Sequence, residues 1–251
     1  MSVDPNRIAL VTGASRGIGH ATAQGFLRKG YRVVAVDRSA IDPKSFVTGK
    51  GKVRAERLDV TDGAGIAALR KSIEDDWGAV SVLVNNAGIS PKKADGASSG
   101  FLEIGDEEWR QVIDVNLTAV LRLSQAFIPG MKKLKWGRIV NISSLAGRSK
   151  SLVAGGSYMA SKAGVLGLTR AIAVEMGPFG ITANSVAPGR ILTEMAKQAG
   201  EEVNRRYAEQ IPVRRLGTID EVAAAILYLA SEEAGFVNGA LIDINGGFYM
   251  P

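Results

Sequence analysis

Ile8-Ala9-Leu10-Val11-Thr12-Gly13-Ala14-Ser15-Arg16-Gly17-Ile18-Gly19 decides how this chain is read. An apolar run followed by small residues and glycines predicts a strand, a tight turn and the opening of a helix. Small residues let the backbone approach a pyrophosphate closely, and the helix start behind them offers N–H donors and the positive end of a dipole. Gly13, Ser15, Arg16, Gly17, Ile18 and Gly19 are therefore candidate cofactor-binding residues. The glycine spacing is wider than in the usual dinucleotide fingerprint, so the segment alone also fits an ordinary glycine turn.

Outward from this segment, short apolar runs alternate with helical patterns. Strands are predicted near Ile8–Thr12, Arg32–Asp37, Val53–Asp59, Val82–Asn85, Arg138–Ser143, Thr182–Ala187 and Leu241–Ile244. Helices are predicted near Gly17–Lys29, Gly63–Trp77, Asp106–Lys133, Ser157–Met176, Glu201–Gln210 and Asp220–Ser231. This alternation predicts an α/β fold, a doubly wound parallel sheet of about seven strands with helices on both faces. No repeat or linker divides residues 1–251, so one domain is expected. Ligands on such sheets bind at the carboxyl ends of the strands. The loops Ser90–Phe101 and Gly189–Gly200 leave such ends and are placed to shape a substrate mouth.

Composition removes several chemistries. The 251 residues contain no Cys and a single His, His20. Disulfides, thiolate nucleophiles, Cys-ligated metals and multi-His zinc sites are excluded, and no metal is expected. The net charge is +6, but basic residues are mixed with acids. Only Lys132, Lys133, Lys135 and Arg138 cluster, which reads as a solvated helix end rather than a nucleic-acid patch. The amino-terminal segment lacks the pattern of a signal peptide, and apolar stretches such as Val222–Ala230 are too short to span a bilayer. A soluble, cytoplasmic protein with no membrane or nucleic-acid partner is expected.

Further along, Asp37 ends the second strand, about twenty residues past the glycines, where a carboxylate accepts hydrogen bonds from a ribose and repels a 2′-phosphate. That favours NAD, while Arg38 and Arg16 leave NADP open. Asp59, with Val60, is a candidate adenine-binding residue and also a candidate N-cap of the helix at Gly63, two roles that need not exclude each other. Asn85, Asn86, Ala87 and Gly88 suit a close backbone crossing beside a cofactor. Asn116 lies inside a helical pattern, where an Asn amide competes with the backbone, so a local kink and a bound water are expected there. Tyr158 and Lys162, four apart, share a helix face. A nearby ammonium should lower the Tyr158 pKa from about 10 and fit it for acid–base work. Ser144 is placed to hold a substrate oxygen.

Together these motifs resemble the short-chain dehydrogenase/reductase family, over essentially the whole chain from Arg7 to Gly247. The resemblance implies a Rossmann-type fold and a catalytic tetrad of Asn116, Ser144, Tyr158 and Lys162. Tyr158 would be the proton donor or acceptor, Lys162 would bind the nicotinamide ribose, Ser144 would position the carbonyl and Asn116 would hold a water. Pro188 and Gly189 would turn the chain so that Ile191 and Thr193 meet the carboxamide end of the cofactor. A homotetramer is implied, built on the Asp106–Lys133 and Ser157–Met176 helices and the carboxyl terminus. Two departures stand out. The Ser144–Tyr158 segment is slightly long, and Pro91–Gly100 looks inserted, with Lys92 and Lys93 either setting specificity or simply solvated.

Two activities follow as expectations. The first is an NAD-dependent dehydrogenase of a small secondary alcohol, polyol or sugar. The alternative resembles the 3-oxoacyl-acyl-carrier-protein reductases, which use NADPH and dock an acidic partner on basic positions. Lys135 fills one such position, and Phe179 stands where a second basic residue is expected. A cofactor-binding protein without catalysis is a remote third reading, opposed by the intact tetrad.

Overall fold

The computed structural model describes residues 6–151, 153–193 and 201–250. Its centre is a parallel sheet of seven strands: β1 (Ile8–Thr12), β2 (Arg32–Asp37), β3 (Lys52–Arg57), β4 (Val82–Asn85), β5 (Gly137–Ile142), β6 (Ile181–Pro188) and β7 (Leu241–Ile244). The strand order is β3-β2-β1-β4-β5-β6-β7, every pairing parallel. The order reverses between β1 and β4. Connections leaving these two strands diverge there and open a crevice at their carboxyl ends.

The helices are α1 (Gly17–Arg28), α2 (Gly63–Asp76), α3 (Asp106–Ile113), α4 (Ala119–Leu134), α5 (Gly156–Met176), α6 (Glu201–Gln210) and α7 (Ile219–Leu229). Successive strand residues face opposite sides. Ala9, Val11, Val33 and Ala35 meet Phe26 and Leu27 of α1 and Ile226 and Leu229 of α7 in one apolar cluster. Ile8, Leu10, Val34 and Val36 meet Ile73 of α2, Leu123 and Phe127 of α4 and Ile172 of α5 in another. Continuous apolar strands thus serve two cores at once, the doubly wound Rossmann-type arrangement expected.

Local chemistry sets the element ends. Asp62, not Asp59, caps α2, its Oδ1 accepting from Gly65 N at 3.0 Å. Asp59 instead folds onto Thr61, accepting from its backbone N at 2.9 Å and its hydroxyl at 2.7 Å. Thr218 and Glu221 form a capping box at the start of α7. The expected single helix Asp106–Lys133 is interrupted by a π-helical turn at Asp114–Thr118. The third strand ends at Arg57, two residues before the Asp59 end expected.

The basic cluster near residue 135 is split. Lys132, Lys133 and Lys135 are exposed at the end of α4. Arg138 is not solvated; it is 4% exposed, donates to Ser231 O at 3.0 Å and lies 4.3 Å from the centre of the Trp136 ring. Its alternation on β5 turns it inward beneath the sheet, where carbonyls and an indole replace water. Among the described residues no helix is long and apolar enough to cross a membrane. Loop Ser90–Phe101 is irregular, with a short 3-10 turn beginning at Phe101. Of the loop Gly189–Gly200, residues 194–200 lie outside the described residues.

Candidate active site

The glycine-rich turn is built by exclusion of side chains. Gly13 has φ +66°, and a Cβ on it would stand 2.8 Å from Asn86 Nδ2. A Cβ on Gly19 would lie 2.1 Å from Gly13 O. Neither position admits another residue without a backbone shift. Gly17 also has positive φ, +58°, but faces open space. Arg16, the N-cap of α1, makes no side-chain capping bond, and no acid occupies the first turn. The amino terminus of α1 therefore presents its N–H groups and dipole to that opening, a cradle suited to a pyrophosphate.

The neighbouring strand ends hold the turn in place. Asn86 Nδ2 donates to Thr12 O at 2.8 Å and Gly13 O at 3.1 Å. Thr12 Oγ1 accepts from the backbone N of Asn86 at 3.0 Å and of Ala87 at 3.1 Å. Asp37 Oδ2 accepts from Ser15 N at 3.1 Å, and its Oδ1 from Ser39 N at 2.9 Å. The Asp37 carboxylate thus stands against the glycine turn with Arg38 exposed beside it. The Thr61 bonds hold the Asp59 carboxyl below its usual range, with a smaller pull from Arg38. Val60 is buried.

A second group forms where α5 meets the ends of β4 and β5. Asn116, wholly buried in the π turn, accepts from Ile89 N at 2.8 Å. Its Nδ2 donates to Ile89 O at 2.9 Å and Ser161 Oγ at 3.0 Å. The π turn is the kink expected, and both amide hydrogens are committed to protein atoms. Gly88 fits closely here, since a Cβ would lie 3.2 Å from Asn116 Oδ1 and 3.3 Å from Lys162 Nζ. Lys162 is 4% exposed and donates to Ile142 O at 2.8 Å. Burial pushes its ammonium down to about 8. Lys162 Nζ stands 5.8 Å from the centre of the Tyr158 ring.

The Ser144 hydroxyl accepts from Ala146 N at 3.2 Å and draws the Tyr158 pKa downward. The expected lowering of the Tyr158 pKa is not found. Burial raises it, and only the Ser144 bond pulls the other way. The surrounding protein disfavours the phenolate, and Lys162 spends a donor on Ile142 O rather than on the phenol. Ser143 anchors the helix to the strand end, its hydroxyl donating to Lys162 O at 2.7 Å.

Gly189 leaves β6 with its N–H on Ile244 O at 3.0 Å. Ile191 is buried and forms a bridge with Gly217, and Thr193 N donates to Ile191 O at 2.9 Å. The sequence-predicted residues therefore gather into two contact groups, the glycine turn with Asp37 and Asn86, and the set Gly88–Asn116–Ser144–Tyr158–Lys162. Ile191 is joined to the Gly217 segment, and Thr193 folds back onto Ile191. Thr12, Ser161 and Glu108 were not singled out. Ser161 donates to Tyr158 O at 2.8 Å, and Glu108 accepts from Ser157 at 2.7 Å and Ser99 at 2.6 Å, tying α3 to the foot of α5. Ser161 was findable, since it adjoins Lys162 on the helix face carrying Tyr158. Glu108 had no local signal. Gly13–Gly17 also spells the Gly-x-Ser-x-Gly pattern of a nucleophile elbow. The sole histidine, His20, is stacked on Phe46 at 4.5 Å, and no hydrogen bond joins it to Ser15 among the described residues.

Known proteins resemble this chain over nearly its whole length. A family model described as enoyl-(acyl carrier protein) reductase matches residues 13–249. The 3-oxoacyl-acyl-carrier-protein reductase FabG of Vibrio cholerae serotype O1 is 39% identical over 247 residues, 97% of this chain and 98% of its own. A crystal structure of a Brucella melitensis 3-oxoacyl-acyl-carrier-protein reductase with bound NAD superposes with a TM-score of 0.88 at 38% identity, covering 100% of this chain and 95% of its own. A putative gluconate dehydrogenase from Agrobacterium tumefaciens reaches 0.87 at 31% identity, covering 96% and 95%.

Proposed function

The chain belongs to the short-chain dehydrogenase/reductase family, and from that premise we propose that it reduces the 3-oxo group of an acyl thioester to the 3-hydroxy form. It is an oxidoreductase acting between a CH–OH group and its carbonyl with a nicotinamide cofactor. The observation that carries the finer reading is similarity over nearly the full length to a 3-oxoacyl-acyl-carrier-protein reductase. The expected polyol or sugar dehydrogenase takes second place. Residues 1–251 would act as one dinucleotide-binding catalytic domain, and the absence of cysteine suits a cytoplasmic setting.

The fit of the cofactor rests on the side-chain-free cradle at Gly13, Gly17 and Gly19. Ser15, Arg16 and Ile18 would complete the pyrophosphate turn, Asp37 and Arg38 would hold the adenosine ribose, and Asp59 and Val60 the adenine. Asn86, Ala87 and Gly88 would line the middle. Tyr158 and Lys162 would hold the nicotinamide ribose, and Pro188, Gly189, Ile191 and Thr193 the carboxamide. The bound cofactor supplies the hydride.

The chain's own residues do the rest. Ser144 donates to the substrate oxygen, and Tyr158 gives its proton to that oxygen as the alcohol forms. Its raised pKa keeps the phenol loaded at neutral pH, as an acid for reduction requires. Once the proton has left, the Lys162 ammonium, 5.8 Å from the ring centre, stabilises the phenolate by about 3 kcal/mol at an effective dielectric near 20. Asn116 acts as a positioning residue, locking Ile89 and Ser161 around the pair.

Asp37 supports NAD over NADP, in keeping with the NAD bound by the Brucella relative. Exposed Lys135 and Lys133 favour an acidic carrier, and Lys132 Nζ lies 3.7 Å above the Phe179 ring, supplying charge where Phe179 lacks it. Assembly as a homotetramer is supported by Trp109 on α3, Leu121 on α4 and Val174 on α5, apolar side chains exposed on the helices named for it. The second reading, NAD-dependent oxidation of a small hydroxy compound, is favoured by Asp37 and by the gluconate dehydrogenase neighbour. Rates with acetoacetyl-coenzyme A and NADH or NADPH, set beside rates with polyols and gluconate plus NAD, test the assignment. Turnover of the hydroxy compounds alone would reverse the order.

A further inference from the structure

The helix that carries Tyr158 starts without the usual supports. The N-cap of α5, Gly155, makes no side-chain capping bond, and no acid stands in its first turn. Support comes from another element. Ser157, 1% exposed and next to Tyr158, donates from its hydroxyl to Glu108 Oε1 at 2.7 Å. Glu108 lies in the first turn of α3 beside Asp106 and Glu107. Acids there complement the dipole of α3, and that alone would account for all of them. Asp106 and Glu107 are exposed, however, whereas Glu108 is half-buried and gives both oxygens to other elements. Its Oε2 accepts from Ser99 Oγ at 2.6 Å. Hydrogen bonds to an ionised acceptor are the stronger kind, so one carboxylate clamps two hydroxyls firmly.

Ser99 belongs to the Pro91–Gly100 loop, and this loop is packed on the start of α5. Ser98 Oγ donates to Val153 O at 2.9 Å, two residues before Gly155. A Cβ on Gly155 would lie 3.3 Å from Ser98 Cβ, and one on Gly156 would lie 3.0 Å from Ile104 Cδ1. Loop and helix start therefore meet with little room for side chains, and Glu108 bonds to both. One turn further along α5, Ser143 fixes the helix to the end of β5 by donating to Lys162 O at 2.7 Å. Tyr158 sits between these two anchors.

We propose that Glu108 is a positioning residue for Tyr158: it fastens the start of α5 to the Pro91–Gly100 loop, so that the seating of this loop sets how the Tyr158 hydroxyl meets the substrate oxygen. The proposal rests on Tyr158 as the acid–base group of the proposed function. It adds a path from a loop at the carboxyl end of β4 to the proton donor, through Ser99, Glu108 and Ser157.

Reduction of acetoacetyl-coenzyme A by NADH, or turnover of the compound the wild type prefers, reads the effect. A misplacement of about 1 Å costs on the order of 100-fold in rate, so Glu108→Ala should lower kcat by about 10- to 100-fold, with KM for NADH within about threefold of wild type. Ser157→Ala should reproduce the loss, and joining it to Glu108→Ala should cost less than about threefold more. Glu108→Gln keeps an oxygen for Ser157 and should recover most of the rate. Glu107→Ala, on the exposed neighbour, is the control. In a Tyr158→Phe background Glu108→Ala should cost less than about threefold, whereas general damage to the fold would multiply with it. Should Glu108→Ala fold poorly, Ser157→Ala carries the test alone. With Tyr158→Phe impaired, a Glu108→Ala and Ser157→Ala kcat near that of wild type, or losses that multiply, overturns the proposal and leaves the function standing. Tyr158→Phe at full rate overturns both. If the wild type turns over no carbonyl or hydroxy compound, the function fails by itself, and Glu108 is judged by ultraviolet titration of the Tyr158 phenol against Tyr158→Phe. Glu108→Ala should return its pKa toward the ordinary 10, and an unmoved titration overturns the proposal.

Discussion

Replacing Asp37 with Asn should change which cofactor the protein holds. The Asp37 carboxylate is half-buried and accepts from Ser15 N at 3.1 Å, which fixes one charge against the glycine turn. Asn keeps an oxygen for that N–H, so the turn should survive. What changes is charge. A 2′-phosphate carries about −1.5 to −2 at neutral pH. At about 5 Å from a carboxylate, with an effective dielectric of about 40–80, the repulsion is about 1.5–3 kcal/mol. Asp37→Asn should therefore tighten NADPH by about 10- to 150-fold. NADH should weaken slightly, because ribose hydroxyls lose a charged acceptor. Fluorescence titration with both cofactors measures the two constants. The wild-type preference for NADH should also narrow as salt screens a half-exposed charge. A wild-type preference for NADPH, or a ratio that Asp37→Asn leaves unmoved, refutes the reasoning.

Gly19→Ala places a Cβ 2.1 Å from Gly13 O, and overpacking of this kind costs about 1–3 kcal/mol or more, so thermal unfolding should begin earlier and NADH binding should weaken more than tenfold. Gly63→Ala, at an open position, is the control and should cost nothing measurable. Asn116→Ala removes a wholly buried amide and strips the Ile89 N–H and C=O of their partners, and should lower stability by about 2–4 kcal/mol in urea titration. Lys162 gives a pH signature. Its pKa is about 8 when folded, against 10.5 ordinarily. Below pH 8 both states hold the proton and the folded protein bears the whole cost of the buried charge, about 3 kcal/mol. Between pH 8 and 10.5 only the unfolded chain holds it, so stability rises with pH there. Measured against Lys162→Met, the wild type should gain about 3 kcal/mol between pH 7.5 and 10.5, and a flat difference refutes the assignment.

The central strands were legible because they are buried on both faces and read as nearly unbroken apolar runs, as in Val33–Val36 and Val82–Val84. The glycine turn was legible because a missing side chain is itself a signal. Asn116 was legible as a misfit inside a helix, and the misfit proved to be a π turn. Tertiary environment was not legible. Helical spacing gave Tyr158 and Lys162 a shared face, yet the direction of the Tyr158 shift depends on how deeply β5 and α5 enclose it. Asp59 suits an N-cap in sequence, and only the backbone path gives that place to Asp62 instead. Arg138 looked like one more surface cation because strand alternation does not reveal what lies beneath the sheet. Of Lys92 and Lys93, only the fold shows which one has an acid beside it.

Tyr158→Phe tests the central claim most directly. The phenyl ring keeps its place on α5 and its contact with the site, and loses only the hydroxyl that Ser144 addresses. General acid catalysis contributes about 100- to 10,000-fold. Reduction of acetoacetyl-coenzyme A, or of whichever carbonyl the wild type turns over, should therefore fall by at least about 100-fold in kcat, with NADH affinity within about threefold of wild type. A variant that retains near-normal kcat would contradict the account.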